Sequence, residues 1–196
     1  LYNLKHDPYE QRNIAGNRIQ PEKIMKVDLH LHSEFSKRPS AWFLKKIDCA
    51  ECYTEPLNLY GLAKQRGVDW VTITDHNCID GCREISHLPD TFSGCEVTSY
   101  FPEKNCKVHI LVYCITEAQF SIIDQCRENI YDLVEYLQAQ NIPYVMAHPF
   151  YMVNKDFSVE LFEKSLLLFK YFEISGNQDS EVNSVLRNII ENLDGS

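Results

Sequence analysis

From residue 26 onward, short runs rich in β-branched and aromatic residues alternate with stretches of helical period. Strands are expected over 26–32, 68–75, 92–98, 107–115, 142–148 and 171–175. A first helix begins near Thr54, with Pro56 in its first turn and Gly67 just past its end, the asymmetry that the missing proline N–H and the freedom of glycine at positive φ produce. A long helix is expected over 117–140, where Phe120, Ile123, Ile130, Leu133, Val134 and Leu137 recur on one face while Glu128, Asp132 and Glu135 point elsewhere. Shorter helices follow over 159–169 and 181–193. Such alternation predicts βα units, and hence a parallel sheet or barrel.

Residues 1–25 break this rhythm: they are polar and turn-rich, with Asp7-Pro8 and Gly16, and read as a linker or the tail of a neighbouring domain. The chain of 196 residues, 44% hydrophobic and 24% charged, has the make-up of a folded domain able to bury a core without staples. Its apolar runs are far shorter than the roughly 18 residues of a membrane span, and no secretory leader is visible, so no membrane association is expected. A net charge of −9 repels phosphate backbones at long range and argues against a nucleic-acid-binding face. Eight cysteines in a chain with a core fit a reduced, cytoplasmic protein better than a disulfide framework. Cys49-x-x-Cys52 with Cys78-x-x-x-Cys82 is an alternative four-thiolate site, but its spacing departs from that of zinc ribbons. Oligomeric state is not legible.

Five of the seven histidines carry the main chemical pattern. His30 and His32 lie two apart at the end of the first expected strand, and side chains at i and i+2 share a face, so both imidazoles converge on one point. Asp75-His76 closes the second strand, Glu96 lies near the end of the third, His109 is on the fourth and His148 closes the fifth. Any one of these histidines alone reads best as a hydrogen-bonded structural residue. Together they form a ring of nitrogen and oxygen donors suited to zinc, manganese or iron, at the strand ends where α/β barrels build their active sites. His6 and His87 read as surface residues.

Val27-Asp28-Leu29-His30-Leu31-His32-Ser33, Thr72-Ile73-Thr74-Asp75-His76-Asn77, Gly94-Cys95-Glu96-Val97, Val108-His109-Ile110-Leu111 and Ala147-His148-Pro149 together resemble the successive motifs of the polymerase and histidinol phosphatase (PHP) family. The resemblance runs from about residue 26 to 178 and implies a distorted (β/α)7 TIM-like barrel holding two or three divalent metal ions, with hydrolysis of phosphoesters. By position it implies that His30 and His32 bind a first metal, that Glu96 bridges it to a second completed by His109 and His148, and that His76 serves a third. Asp75 would ligate or orient a ligand, and Asp28 would support the paired histidines. Where family members carry a further ligand five or six residues after the second histidine, this chain has Lys37 and Arg38. The family's last motif, Asp-x-His commonly after Gly-Ser, would either follow Gly195-Ser196 or be missing with the final strand, so the barrel is expected to be incomplete at the C-terminus and the metal-binding domain to occupy 26–196. Residues 1–15, with Leu1-Tyr2-Asn3-Leu4, Asp7-Pro8 and Asn13-Ile14-Ala15, resemble the C-terminal tail of sulfatases.

Two metals bridged by a carboxylate can hold a hydroxide ready for in-line attack on phosphorus, with no protein nucleophile. The absence of a Gly-x-Ser-x-Gly elbow or Walker loop agrees with this. Lys37 and Arg38 are candidates to neutralise a substrate phosphate and Asp75 to act beside the metals, while Glu173 and Asn177 either shape the pocket or have a structural role at a strand end. The expected substrate is a phosphorylated small molecule or nucleotide. The competing reading is an inactive or accessory PHP-like module of a larger polypeptide.

Overall fold

The computed structural model describes residues 24–36, 52–150, 157–174 and 180–194. Five strands and six helices are present among them: β1 (Val27–Asp28), α1 (Pro56–Gln65), β2 (Trp70–Val71), α2 (Asp80–Ile85), β3 (Gly94–Phe101), β4 (Cys106–Tyr113), α3 (Glu117–Cys126), α4 (Ile130–Ala139), β5 (Tyr144–Met146), α5 (Val159–Leu168) and α6 (Ser180–Asp194). The fold is mixed α/β. Strands β1 and β2 pair in parallel. Isolated parallel bridges at Val71–Thr91 and His76–Glu96 carry the sheet across to β3, and another at Met146–Phe172 extends it beyond β5.

The expectation of a uniformly parallel sheet fails at its centre, where β3, β4 and β5 are antiparallel neighbours. Only residues 102–105 separate β3 from β4, too few for the crossover a parallel pair needs, so the chain turns back on itself as a hairpin. Among the described residues the strands form a two-stranded and a three-stranded sheet and do not close into a barrel.

Alternation along the hairpin sorts its side chains onto two faces. Cys95, Val97, Val108, Ile110 and Val112 join the main core with Ile123, Ile130, Leu133, Val134 and Leu137 of α3 and α4. The opposite face carries Glu96, Thr98 and His109 and a small cluster of Leu111, Tyr113 and Ala147. Both faces are covered, so apolar residues occur without the polar alternation of a one-sided sheet.

The single helix expected over 117–140 is two. Thr116 caps α3 through a reciprocal capping box with Gln119, and Asn129 caps α4 by accepting the backbone N–H of Tyr131 at 3.0 Å. The asparagine side chain satisfies a helix-start donor and divides an otherwise continuous apolar stripe. Helix α1 matches its expected signals, with Pro56 in the first turn and Gly67 at φ 76°. Helix α2, unforeseen, packs against buried Asp75: a Cβ on Gly81 would stand 2.1 Å from Asp75 Oδ2, so only glycine permits this approach.

Candidate metal centre

Glu96 lies on β3, fully buried, on the face of the hairpin opposite the core packed by α3 and α4. A lone buried carboxylate is costly, and here five imidazoles surround it. Oε2 lies 3.3 Å from His30 Nε2, 3.1 Å from His32 Nε2 and 3.1 Å from His76 Nδ1. Oε1 lies 2.9 Å from His109 Nδ1 and 3.0 Å from His148 Nε2. Neighbouring rings stand 4.8–5.7 Å apart from His30 to His32, His76, His109, His148 and back to His30, a closed cycle around one carboxylate.

Each histidine reaches the cycle by a different local route. His109 comes from the interior of β4, not from its end, because β3 and β4 run antiparallel and Thr98 pairs with His109. His76 follows the short β2 and bridges to Glu96 through its backbone. The next residue, Asn77, at φ 47°, ties that segment to β3 by donating to Thr98 Oγ1 at 3.0 Å and accepting the Thr98 N–H at 2.8 Å. His30 and His32 lie beyond the two-residue ladder of β1, yet their Nε2 atoms come within 3.1 Å. His148, two residues past β5, sits at φ 25° and donates its backbone N–H to Glu173 Oε2 at 2.9 Å.

Glu173 also takes His30 Nδ1 at 2.9 Å on its other oxygen, so one carboxylate steadies two members of the cycle from the segment after α5. From the sequence Glu173 reads as a pocket-shaping or strand-end structural residue, not as a partner of the histidines. Sequence reading missed Ser33 and Ser36. Asp75 is fully buried and accepts the Ser33 N–H at 2.6 Å, the Ser33 hydroxyl at 2.7 Å and the Ser36 hydroxyl at 3.0 Å; it engages these serines and joins neither group of donors described below. The repeated serine just after the paired histidines was the available sign. His87 is exposed, as expected. Lys37, Arg38, Cys49, Asn177 and His6 lie outside the described residues.

The electrostatics are those of a charged carboxylate among imidazoles. Burial opposes the charge on Glu96, yet the close rings of His109, His148, His30 and His32 outweigh it and hold the carboxyl well below its usual range. Burial also opposes an imidazolium at His30, but Glu173 and Glu96 on its two nitrogens prevail and push it up to about 10. At His109 burial prevails over Glu96 and lowers the ring to about 4, leaving the neutral imidazole that ligates metals.

Among the described residues two groups are able to hold a metal ion, His30–His32–Glu96 and His76–Glu96–His109, with ligand atoms in each within 4.8 Å of one another. No cysteine joins either. Glu96 Oε2 and both ring nitrogens of His109 are buried without a partner in hydrogen-bonding geometry, a cost of about 1–3 kcal/mol per group if nothing else meets them. Imidazole nitrogens converging on a carboxylate fit a divalent transition metal.

No family model matches the chain. Over 73 residues it is 44% identical to an uncharacterised protein of Methanocaldococcus jannaschii, a match covering 37% of this chain and 40% of that protein. The structure is similar to that of an amidohydrolase from Chromobacterium violaceum solved with bound sulfate and no metal, with a TM-score of 0.61 at 14% identity over 87% of this chain and 84% of that one. It is also similar to a protein from Bifidobacterium adolescentis described as a metal-dependent phosphoesterase, with a TM-score of 0.55 at 15% identity over 87% and 85%. No described helix is long and apolar enough to cross a membrane. At these identities the likeness establishes a shared architecture: the chain has the mixed α/β fold of these two proteins, with a candidate metal centre around Glu96.

Proposed function

We propose that the chain is a metal-dependent phosphoesterase of the PHP type, acting on a phosphorylated small molecule or nucleotide. The observation that carries this reading is the division of five imidazoles between the two oxygens of buried Glu96. His30, His32 and Glu96 would hold one divalent cation, and His76, Glu96 and His109 a second, with His148 beside Oε1 of Glu96. The resemblance reserved His76 for a third cation, whereas its position beside Glu96 supports two. Zinc, manganese and iron all suit this donor set. Such cations, when bound, activate water at neutral pH and neutralise phosphoryl charge.

The chain's own residues do the rest. Glu96 presents one oxygen to each group, and Glu173 orients His30 while tying down the backbone of His148. Lys37 and Arg38, which follow Ser36 directly, would take the substrate phosphate. The PHP-type domain would occupy residues 26–196, and 1–25 would be a linker or neighbouring tail.

The test is the metal content of the purified chain with hydrolysis of p-nitrophenyl phosphate and bis(p-nitrophenyl) phosphate. We expect bound transition metal, and a rate about 100-fold or more lower in His32→Ala. A metal-free protein, or hydrolysis untouched by that substitution, sinks the reading. Bound metal with no turnover of either ester would favour an accessory module.

A further inference from the structure

Ser36 is fully buried beside the candidate metal centre, and its hydroxyl oxygen meets three groups at once. Asp75 Oδ1 is 3.0 Å away, His32 Nδ1 is 3.0 Å away, and the backbone N–H of His76 donates to it at 3.1 Å. A hydroxyl carries one proton. The Asp75 carboxylate, already receiving both the N–H and the O–H of Ser33, accepts only, so the Ser36 proton goes to it. The oxygen of Ser36 is then left as an acceptor towards His76 and His32. Towards that oxygen His32 donates from Nδ1, and a neutral ring protonated there carries its lone pair on Nε2, placed to accept from His30 Nε2. His32 Nε2 is the atom 3.1 Å from Glu96 Oε2 and 3.1 Å from His30 Nε2.

We propose that Ser36 is a positioning residue: its hydroxyl relays Asp75 onto His32, fixes the Nδ1–H tautomer, and so presents Nε2 to a divalent cation shared with His30 and Glu96. The arrangement is the hydroxyl-bridged counterpart of Glu173 on His30, where a carboxylate meets Nδ1 directly at 2.9 Å. Outer partners of this kind set ring orientation and ligand basicity. Through the His76 N–H the same hydroxyl also pins the start of the second ligand group. The metal-binding consequence rests on the function proposed above; the tautomer assignment does not.

The experiment uses the whole 196-residue chain in two arms. In the first, long-range 1H–15N correlation spectra of the metal-free protein at pH 8.5 report which nitrogen of His32 bears the proton. In the second, calorimetry measures Zn2+ affinity. Wild type is expected to show the Nδ1–H form. Ser36→Ala is expected to shift His32 towards Nε2–H and weaken Zn2+ binding about 10–100-fold, while Ser36→Thr, which keeps the hydroxyl, restores both. Ser36→Cys, close in volume but a poor acceptor, replaces the alanine variant if that one fails to fold, as judged by its circular dichroism melt. A His32 that stays Nδ1–H in the alanine or cysteine variant overturns the relay, and a Zn2+ affinity in those variants equal to that of a wild type that binds the ion overturns the positioning role. A wild type that binds no Zn2+ while its tautomer responds to Ser36 removes the metal reading and leaves the relay standing.

Discussion

The two halves of the sheet hold their site residues by different means. In the β3–β4–β5 half, Glu96 and His109 lie within an eight-residue antiparallel ladder buried on both faces, and their positions follow from strand register. In the β1–β2 half the ladder is two residues long, and Val27 and Trp70 remain 40% and 38% exposed. His30, His32 and His76 all lie past the end of that ladder. Their positions depend on side-chain hydrogen bonds from Ser36 and Glu173, with Asp75 fixing Ser36 in turn. A ligand on a long, covered strand needs little further support, whereas ligands on irregular backbone need a polar scaffold to stay aimed.

That contrast can be broken first by a core truncation. Ile110 is fully buried in β4 on the helix-covered face, and Ile110→Ala is expected to cost about 2–5 kcal/mol, against about 0.5 kcal/mol or less for Val27→Ala on the exposed pair. Urea unfolding of the two variants measures this, and equal losses would mean the halves are equally load-sharing. A smaller effect separates scaffold from ladder. Gly81→Ala forces a methyl against Asp75 Oδ2, and is expected to cost about 1–3 kcal/mol as overpacking while perturbing the His32 and His76 rings in NMR more than His109. A uniform response of all five rings would show that the halves are not independently held.

The smallest effect lies at the tip of the hairpin. There Glu103 accepts from Lys164 of α5 and from Tyr131 of α4, and these partners, Lys164 foremost, lower its carboxyl from 4.5 to about 2. A depressed folded-state value means the contribution is whole above pH 4.5 and is lost as pH falls towards 2. Because the site is exposed, the amount is small. The Tm gap between wild type and Glu103→Gln should therefore stay constant from pH 8 to 5 and narrow between pH 5 and 3. A gap that does not change with pH would show that no ion pair anchors the tip.

Much of the site was legible because chemistry-bearing residues are rare in a chain. His30 and His32 announced themselves by their spacing of two, and Asp75-His76, Glu96, His109 and His148 by their places near expected strands. The repeated serine after the paired histidines was a sign without a partner, since Ser33 and Ser36 acquire meaning only once Asp75, about forty residues on, meets them. The direction of β4 was misread because an apolar run buried on both faces looks the same in parallel and antiparallel sheets. The break at Asn129 was hidden by an apolar stripe that continues unaltered on either side.

The sequence by itself determined the donor set, the helix start at Thr54–Pro56 and the helix from 159, and the apolar runs that must be buried, because residue type, turn chemistry and hydrophobic period act over a few positions. Tertiary structure alone decided which oxygen of Glu96 faces which imidazole, that β3 and β4 form a hairpin, and that Ser36 and Glu173 orient His32 and His30. Those outcomes depend on contacts that range from Ser36 on His32, four residues apart, to Glu173 on His30, 143 residues apart, and no local periodicity encodes which atoms come to lie 3 Å apart.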